Sequence, residues 1–258
     1  MRLTVVGCSG SYPGPDSPAS CYLVEADSAD GEGRTWRILL DFGSGSLGSL
    51  HRYVDPLAVE AVFFSHLHAD HCLDLTGLYV LRKYHPSGPQ PTIPVYGPVG
   101  VAGRMARAYD LPEDPGLSDD FDFREYDGPV AFGPFEITPV PMAHPVPAFG
   151  LRVVAGGRTL AFTGDTGPTP ALDELASGAD LLLAEAAFRD AEAADNPPDL
   201  HLTGSQAADV ARRTGVPRLV LTHIPPWYDR AEIFADAMRV PGYDGEVLLA
   251  EPGAVYDI

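Results

Sequence analysis

Cysteine is scarce in this chain, basic residues are outnumbered two to one by acidic ones, and no apolar stretch is long. Each shortage excludes something. Three cysteines (Cys8, Cys21, Cys72) in 258 residues form neither a CxxC pair nor a disulfide framework. Buried or partly buried free thiols fit a reducing compartment. No apolar run approaches the roughly 18 residues of a membrane span, and the run in MRLTVVGCSGS is too short for a signal-peptide core. The expectation is a cytoplasmic protein with no membrane partner. Lys and Arg number 17 against 36 Asp and Glu, a net charge of −19. So acidic a surface repels a polyanion and gains little from counterion release. That lowers the odds of a tRNA or DNA substrate, although the same charge also simply keeps a protein soluble.

What is present is ample for a core: 45% of residues are hydrophobic, and the length suits one domain over 1–258. Strand patterns cover Leu3–Val6, Cys21–Glu25 and Trp36–Leu40, with Asp27–Arg34 as a polar hairpin loop. Leu47–Tyr53 reads as a short helix and Val59–Phe64 as a strand. Leu73–Tyr84, with Leu75, Leu78 and Leu81 in register, reads as a helix. Ile93–Tyr96 is a strand and Val99–Tyr109 a helix. Phe121–Tyr126, Phe135–Pro141, Phe149–Val154 and Thr159–Phe162 are strands between Gly/Pro turns. Leu172–Ala176 is a short helix, Leu181–Ala184 a very apolar strand, and Thr203 an N-cap for a helix to about Arg213. Leu219–Thr222, then a helix over Ala231–Met238, then Val247–Ala250 and Ala254–Tyr256 complete the order. Strands followed by strand–helix units, twice over, predict two stacked sheets flanked by helices.

The chemistry concentrates in Phe63–His71, FFSHLHADH, which places His66, His68, Asp70 and His71 within six residues at the end of a predicted strand. Neutral imidazole and carboxylate are the donors that zinc and similar divalent ions take. Further donors follow later strands: His144, Asp165 in TGDTG, and His223. A lone histidine after a strand is ordinarily just a satisfied polar residue, and His51 and His85 are assigned to that class. The cluster changes the reading for the others, because it is incomplete without them. Seven N/O donors are enough for two ions. A carboxylate has two oxygens to share, so Asp165 is the natural bridge; two ions about 3.5–4 Å apart polarise a substrate oxygen and hold a hydroxide between them. Asp41, ending the LLDFG strand, is on position alone equally a loop cap or a partner for a metal-binding histidine.

SHLHADH, followed by a His, a T-G-D and a late T-H, resembles the metallo-β-lactamase superfamily over nearly the whole chain. The resemblance implies an α/β (α+β) fold, the four-layer αββα sandwich, with a two-metal site at one sheet edge. It implies that His66, His68 and His144 hold one ion and that Asp70, His71 and His223 hold the other. Asp165 would bridge them, and Asp41 would act behind a ligand. Zinc is the first expectation for both ions, with manganese and iron also suited to N/O donors.

Three details narrow the branch. His68 stands where oxygen-reducing diiron members resemble H-x-E-x-D. Asp165 stands where β-lactamases commonly carry a cysteine; Cys72 is not at that position and reads as a small buried hydrophobe. His201-Leu202-Thr203, with Glu185 upstream, is similar to the ribonuclease Z and cyclic-nucleotide phosphodiesterase branch, where a Glu–His pair protonates the leaving oxygen. His201 as acid, oriented by Glu185, with Asp70 managing the proton of the attacking water, makes a phosphodiester site. Ribonuclease Z carries a long tRNA-gripping arm between the residues matching His144 and Asp165. Here only 21 positions separate them, filled by a hairpin turning at Gly156-Gly157. A small phosphodiester, such as a cyclic nucleotide, is therefore the expected substrate. The alternatives are a ribonuclease Z-like RNA endonuclease, a thioester or lactone hydrolase and, more remotely, a metal-dependent binding protein without turnover. A homodimer is implied by the resemblance alone.

Overall fold

The computed structural model describes residues 1–28 and 33–258. Strands β1 (Arg2–Gly7), β2 (Cys21–Asp27), β3 (Thr35–Phe42), β4 (Ala61–Phe63), β5 (Ile93–Gly97) and β6 (Phe121–Glu125) form one sheet, edged by the last strand, β14 (Val255–Asp257). Its order is β14-β1-β2-β3-β4-β5-β6. The second sheet takes β7 (Val130–Phe132), β8 (Phe135–Pro141), β9 (Phe149–Ala155), β10 (Arg158–Phe162), β11 (Leu181–Glu185), β12 (Arg218–Thr222) and β13 (Glu246–Leu249), in the order β13-β12-β11-β10-β9-β8-β7. In each sheet one half is antiparallel and the other parallel: β3 to β6 pair parallel, as do β10 to β13.

The burial pattern explains the four layers. Parallel strands carry helices on their outer faces and read as continuous apolar runs. Along β3, Ile38 and Leu40 face the core between the sheets, while Leu39 and Phe42 face outward under helices. Along β11, Leu181 and Leu183 face the shared core, and Leu182 and Ala184 face outward. The first sheet is covered by α1 (Ser46–Leu50), α2 (Ala69–Cys72), α3 (Leu75–Lys83) and α4 (Val101–Ala108), which contribute Leu50, Cys72, Leu78 and Met105 to its outer core. The second is covered by α5 (Ala171–Ala176), α6 (Gly204–Thr214) and α7 (Arg230–Met238), through Leu175, Ala207, Ala211 and Ile233. This is the four-layer αββα sandwich that the sequence predicts. Among the described residues no helix is long and apolar enough to cross a membrane.

The expected elements form, with shifts at their ends. The first helix stops at Leu50, with His51 as its C-cap, rather than reaching Tyr53. The histidine motif itself opens a short helix, α2, separate from α3. The strand β7 was not anticipated; three residues, bounded by Gly128 and Gly133, are too few to show alternation. The tip of the Asp27–Arg34 loop, residues 29–32, lies outside the described residues, and β2 and β3 pair up to Asp27–Thr35 beside it.

Topology aims the chemistry at one edge. In open α/β sheets ligands sit outside the carboxyl ends of parallel strands. Asp41 is the next-to-last residue of β3, Ser65–His66 follow β4, Asp165 follows β10, Glu185 ends β11 and His223 follows β12. The register Glu185↔Thr222 sets the last two side by side.

Candidate metal centre

His66, His68, His144 and Asp165 bring one donor atom each within 4.8 Å of one another, and so do Asp70, His71 and His223. His66 Nε2 lies 3.0 Å from His68 Nδ1, and His144 Nε2 lies 3.4 Å from that same atom. On the other side, His71 Nε2 and His223 Nε2 face each other at 3.1 Å. Asp70 Oδ2 stands 3.2 Å from His223 Nε2 and 3.4 Å from His71 Nε2. Asp165 lies between the groups: Oδ2 is 3.7 Å from His66 Nε2, and Oδ1 is 3.3 Å from His71 Nε2 and 3.4 Å from His223 Nε2. All seven residues singled out in the sequence therefore meet, although they come from both sheets. His51 and His85 stay outside, His85 pairing with Ser87 on the surface.

Ring orientations are fixed from behind. Asp41 is fully buried. Its Oδ1 accepts from Ser65 N at 2.7 Å, and its Oδ2 accepts from Ser65 Oγ at 2.8 Å and from His71 Nδ1 at 2.7 Å. A carboxylate only accepts, so His71 Nδ1 carries a proton, and Nε2 is the ring nitrogen turned to the cluster. A carbonyl likewise only accepts, and Leu200 O takes the His144 Nδ1 proton at 3.0 Å, freeing Nε2. Ser65 was not anticipated from the sequence; a serine before the motif carries no signal of its own.

The backbone is contorted where these groups sit. Asp41 and His223 adopt positive φ, 57° and 56°, a region costly for residues with a β-carbon. The close approach of neighbouring loops also requires glycine. A Cβ on Gly43 would fall 1.9 Å from Asp70 O, and one on Gly10 2.2 Å from His223 O.

The donors fit a divalent cation. Asp165 Oδ1 is buried without a hydrogen-bond partner among the described residues, an arrangement that is expensive unless something else satisfies the group. Burial drives the His66 imidazole well below its ordinary pKa, helped by the neighbouring His71, so it offers a lone pair. Burial works the same way on His71, yet the charges of Asp165 and Asp41 outweigh it and hold the ring well above its ordinary range. The Asp165 carboxyl is opposed by burial, but His223, His71 and His66 keep it well below the usual carboxylate range. Asp70 behaves likewise under His223 and His71. Buried carboxylates that stabilise positive charge among imidazole nitrogens suit a metal, which would displace the His71 proton.

Glu185 and His201 sit against this cluster. His201 Nδ1 lies 2.9 Å from Glu185 Oε1 and 3.9 Å from Asp165 Oδ2. Burial lowers the His201 pKa, but the attraction and hydrogen bond of Glu185 more than offset it and raise the group to about 9. Glu185 is itself anchored by Thr166 N at 2.8 Å and Ala187 N at 3.2 Å. Thr166 also ties in His144: its Oγ1 accepts from Ala143 N, and Gly167 N donates to Ala143 O. The Phe188 ring packs edge-on to His201, with centroids 5.1 Å apart. Thr166 and Phe188 went unremarked in the sequence, though Thr166 lies in the TGDTG run. Cys72 is buried, its Sγ turned to Leu67 O rather than to the cluster.

Residues 36–224 match the β-lactamase superfamily domain. The protein Rv1339 of Mycobacterium tuberculosis is 45% identical over 252 residues, which cover 96% of this chain and 88% of that protein. Ribonuclease Z of Haloferax volcanii is 30% identical over 316 aligned positions, covering 100% of this chain and 95% of the relative. The crystal structure of the metallo-β-lactamase fold protein YhfI from Bacillus subtilis superposes with a TM-score of 0.82 at 26% identity, covering 99% of this chain and 98% of the other.

Proposed function

The chain belongs to the β-lactamase superfamily, and on that premise we propose that it is a metal-dependent phosphodiesterase acting on a small nucleotide, with a 3′,5′-cyclic nucleotide as the fitting substrate. The observation that carries this reading is the Glu185–His201 pair beside the donor cluster. A phosphodiester leaves as a poor alkoxide and needs an acid; an activated acyl bond does not.

His66, His68, His144 and Asp165 would hold one divalent ion, and Asp70, His71, His223 and Asp165 a second. When bound, the ions supply charge neutralisation at phosphorus and activation of water. The protein's own groups do the rest. Glu185 holds His201 by Nδ1, so Nε2 is left to give its proton to the departing oxygen. Asp70, held between His71 and His223, would accept the proton of the attacking water. The balance is that of hydrolysis: water adds oxygen to phosphorus, the P–O bond to the leaving alcohol breaks, and water's proton restores His201.

The segment from His144 to Asp165 supports a small substrate. It contains only β9, a tight turn with Gly156 and Gly157 at φ 58° and 73°, and β10. The Haloferax ribonuclease Z match nonetheless keeps an RNA endonuclease in view as the second reading. A hydrolysis screen decides: cyclic mononucleotides, cyclic dinucleotides, a precursor tRNA and a thioester, each with zinc and with manganese. Turnover of a cyclic nucleotide is expected. Efficient tRNA cleavage would favour the second reading, and thioester turnover alone would contradict both.

A further inference from the structure

A recess of about 230 Å³ lies against His201, between the loop after β11 and the start of α6. Its walls include Pro168, Phe188, Asn196, Pro198 and Gln206. Resting on the phosphodiesterase reading above, we infer that this recess receives the nucleobase of the substrate, on the leaving-group side of the site.

Chemistry sets the side. The oxygen that His201 protonates belongs to the departing alcohol. In a 3′,5′-cyclic nucleotide opened at the 3′ bond, that oxygen stays on the ribose that carries the base. The nucleoside therefore extends from His201, away from the donor cluster. The recess begins there, with His201 as one of its own walls.

Size and polarity match a base. Pockets for drug-sized ligands measure about 300–1,000 Å³, so a recess of about 230 Å³ is of a size for one ring system rather than a whole nucleotide. No Lys or Arg lines it, which suits a neutral heterocycle rather than phosphate. Phe188 and the prolines give flat apolar walls of the kind on which bases stack. Two amide groups supply polarity. Asn196 Nδ2 is buried with no hydrogen-bond partner among the described residues. Gln206 Oε1 accepts from Thr203 N at 2.9 Å, and its side chain is one of the polar walls of the recess. A buried donor without an acceptor, beside an apolar slot, calls for a ligand with a ring-nitrogen or carbonyl acceptor.

The test compares a 3′,5′-cyclic purine mononucleotide with its base-free analogue, 1-deoxyribose 3′,5′-cyclic phosphate, on the metal-loaded wild type, Asn196→Leu and Asn196→Asp. The wild type is expected to show a KM for the base-free analogue at least about tenfold higher. Both variants should raise KM for the nucleotide about tenfold while kcat is nearly unchanged, a split that a merely structural role would not give. Calorimetry with the nucleoside 5′-monophosphate should show the same weakening without turnover. Equal wild-type KM values for the two substrates, or unmoved KM and product affinity in both variants, would overturn the base recess while leaving the phosphodiesterase reading intact. No hydrolysis of any phosphodiester would instead sink that reading, and this inference with it.

Discussion

At the scale of single residues the site is a set of donors whose orientation depends on groups that never reach the substrate. Asp41 serves Ser65 and His71 at once. Asp41→Asn removes the charge and one acceptor, and metal affinity is expected to fall about 10–100-fold, read by competition with a chromogenic chelator; unchanged affinity would count against the role. The thiols give a second check. Burial raises the pKa of Cys8 and Cys21, and that of Cys72 to about 12. Neutral thiols are poor nucleophiles, so iodoacetamide at pH 8 should label none of the three in the folded protein and all three in denaturant. Labelling of one in the folded state would show it reachable. The donors were the legible part of the site, because H-x-H-x-D-H compresses four of them into six residues. Asp41 and Glu185 gained meaning only through the family pattern, since a carboxylate ending a strand is ordinary. Ser65 and Thr166 were silent: their roles come from loops meeting across the chain, which spacing does not encode.

At the scale of elements, the parallel strands act as rails that end at the site, and small polar contacts lock the rails together. Tyr22 of β2 and Thr222 of β12 meet through their hydroxyls at 2.7 Å, both buried, joining the two sheets one residue before His223. Tyr22→Phe leaves the Thr222 hydroxyl unpaired and should cost about 1 kcal/mol in urea unfolding; no change would mean the bond is not contributing. Thr203 caps α6 with a reciprocal box, its side chain accepting from Gln206 N while Gln206 accepts from Thr203 N. Thr203→Ala should cost about 1 kcal/mol and loosen the loop that carries His201, lowering kcat as well as stability. The existence of these elements was readable because apolar alternation and long buried runs are strong signals. The break between α2 and α3 was not, because metal-facing residues occupy what would be continuous helix pattern. The short β7 was missed for want of length.

For the whole molecule, two sheets share one core and present their donors at a common edge, so the site exists only when both halves are folded and docked. A bound ion then stabilises the assembled state over the unfolded chain. Chelation should lower Tm and added zinc or manganese should restore it, and a Tm indifferent to both would speak against a metal held by both sheets. The net charge of −19 and the short His144–Asp165 segment belong to this scale too, and on the proposed reading they would disfavour long polyanions relative to a compact phosphodiester. The central claim, that His201 is the acid for a poor leaving group, is tested most directly by kcat/KM for wild type and His201→Ala on two substrates. The pair is a 3′,5′-cyclic mononucleotide and bis(p-nitrophenyl) phosphate, whose leaving group needs little protonation. The predicted result is a loss of about 10²–10⁴-fold on the cyclic nucleotide with little loss on the activated diester. Similar losses on both substrates, or none on either, would contradict it.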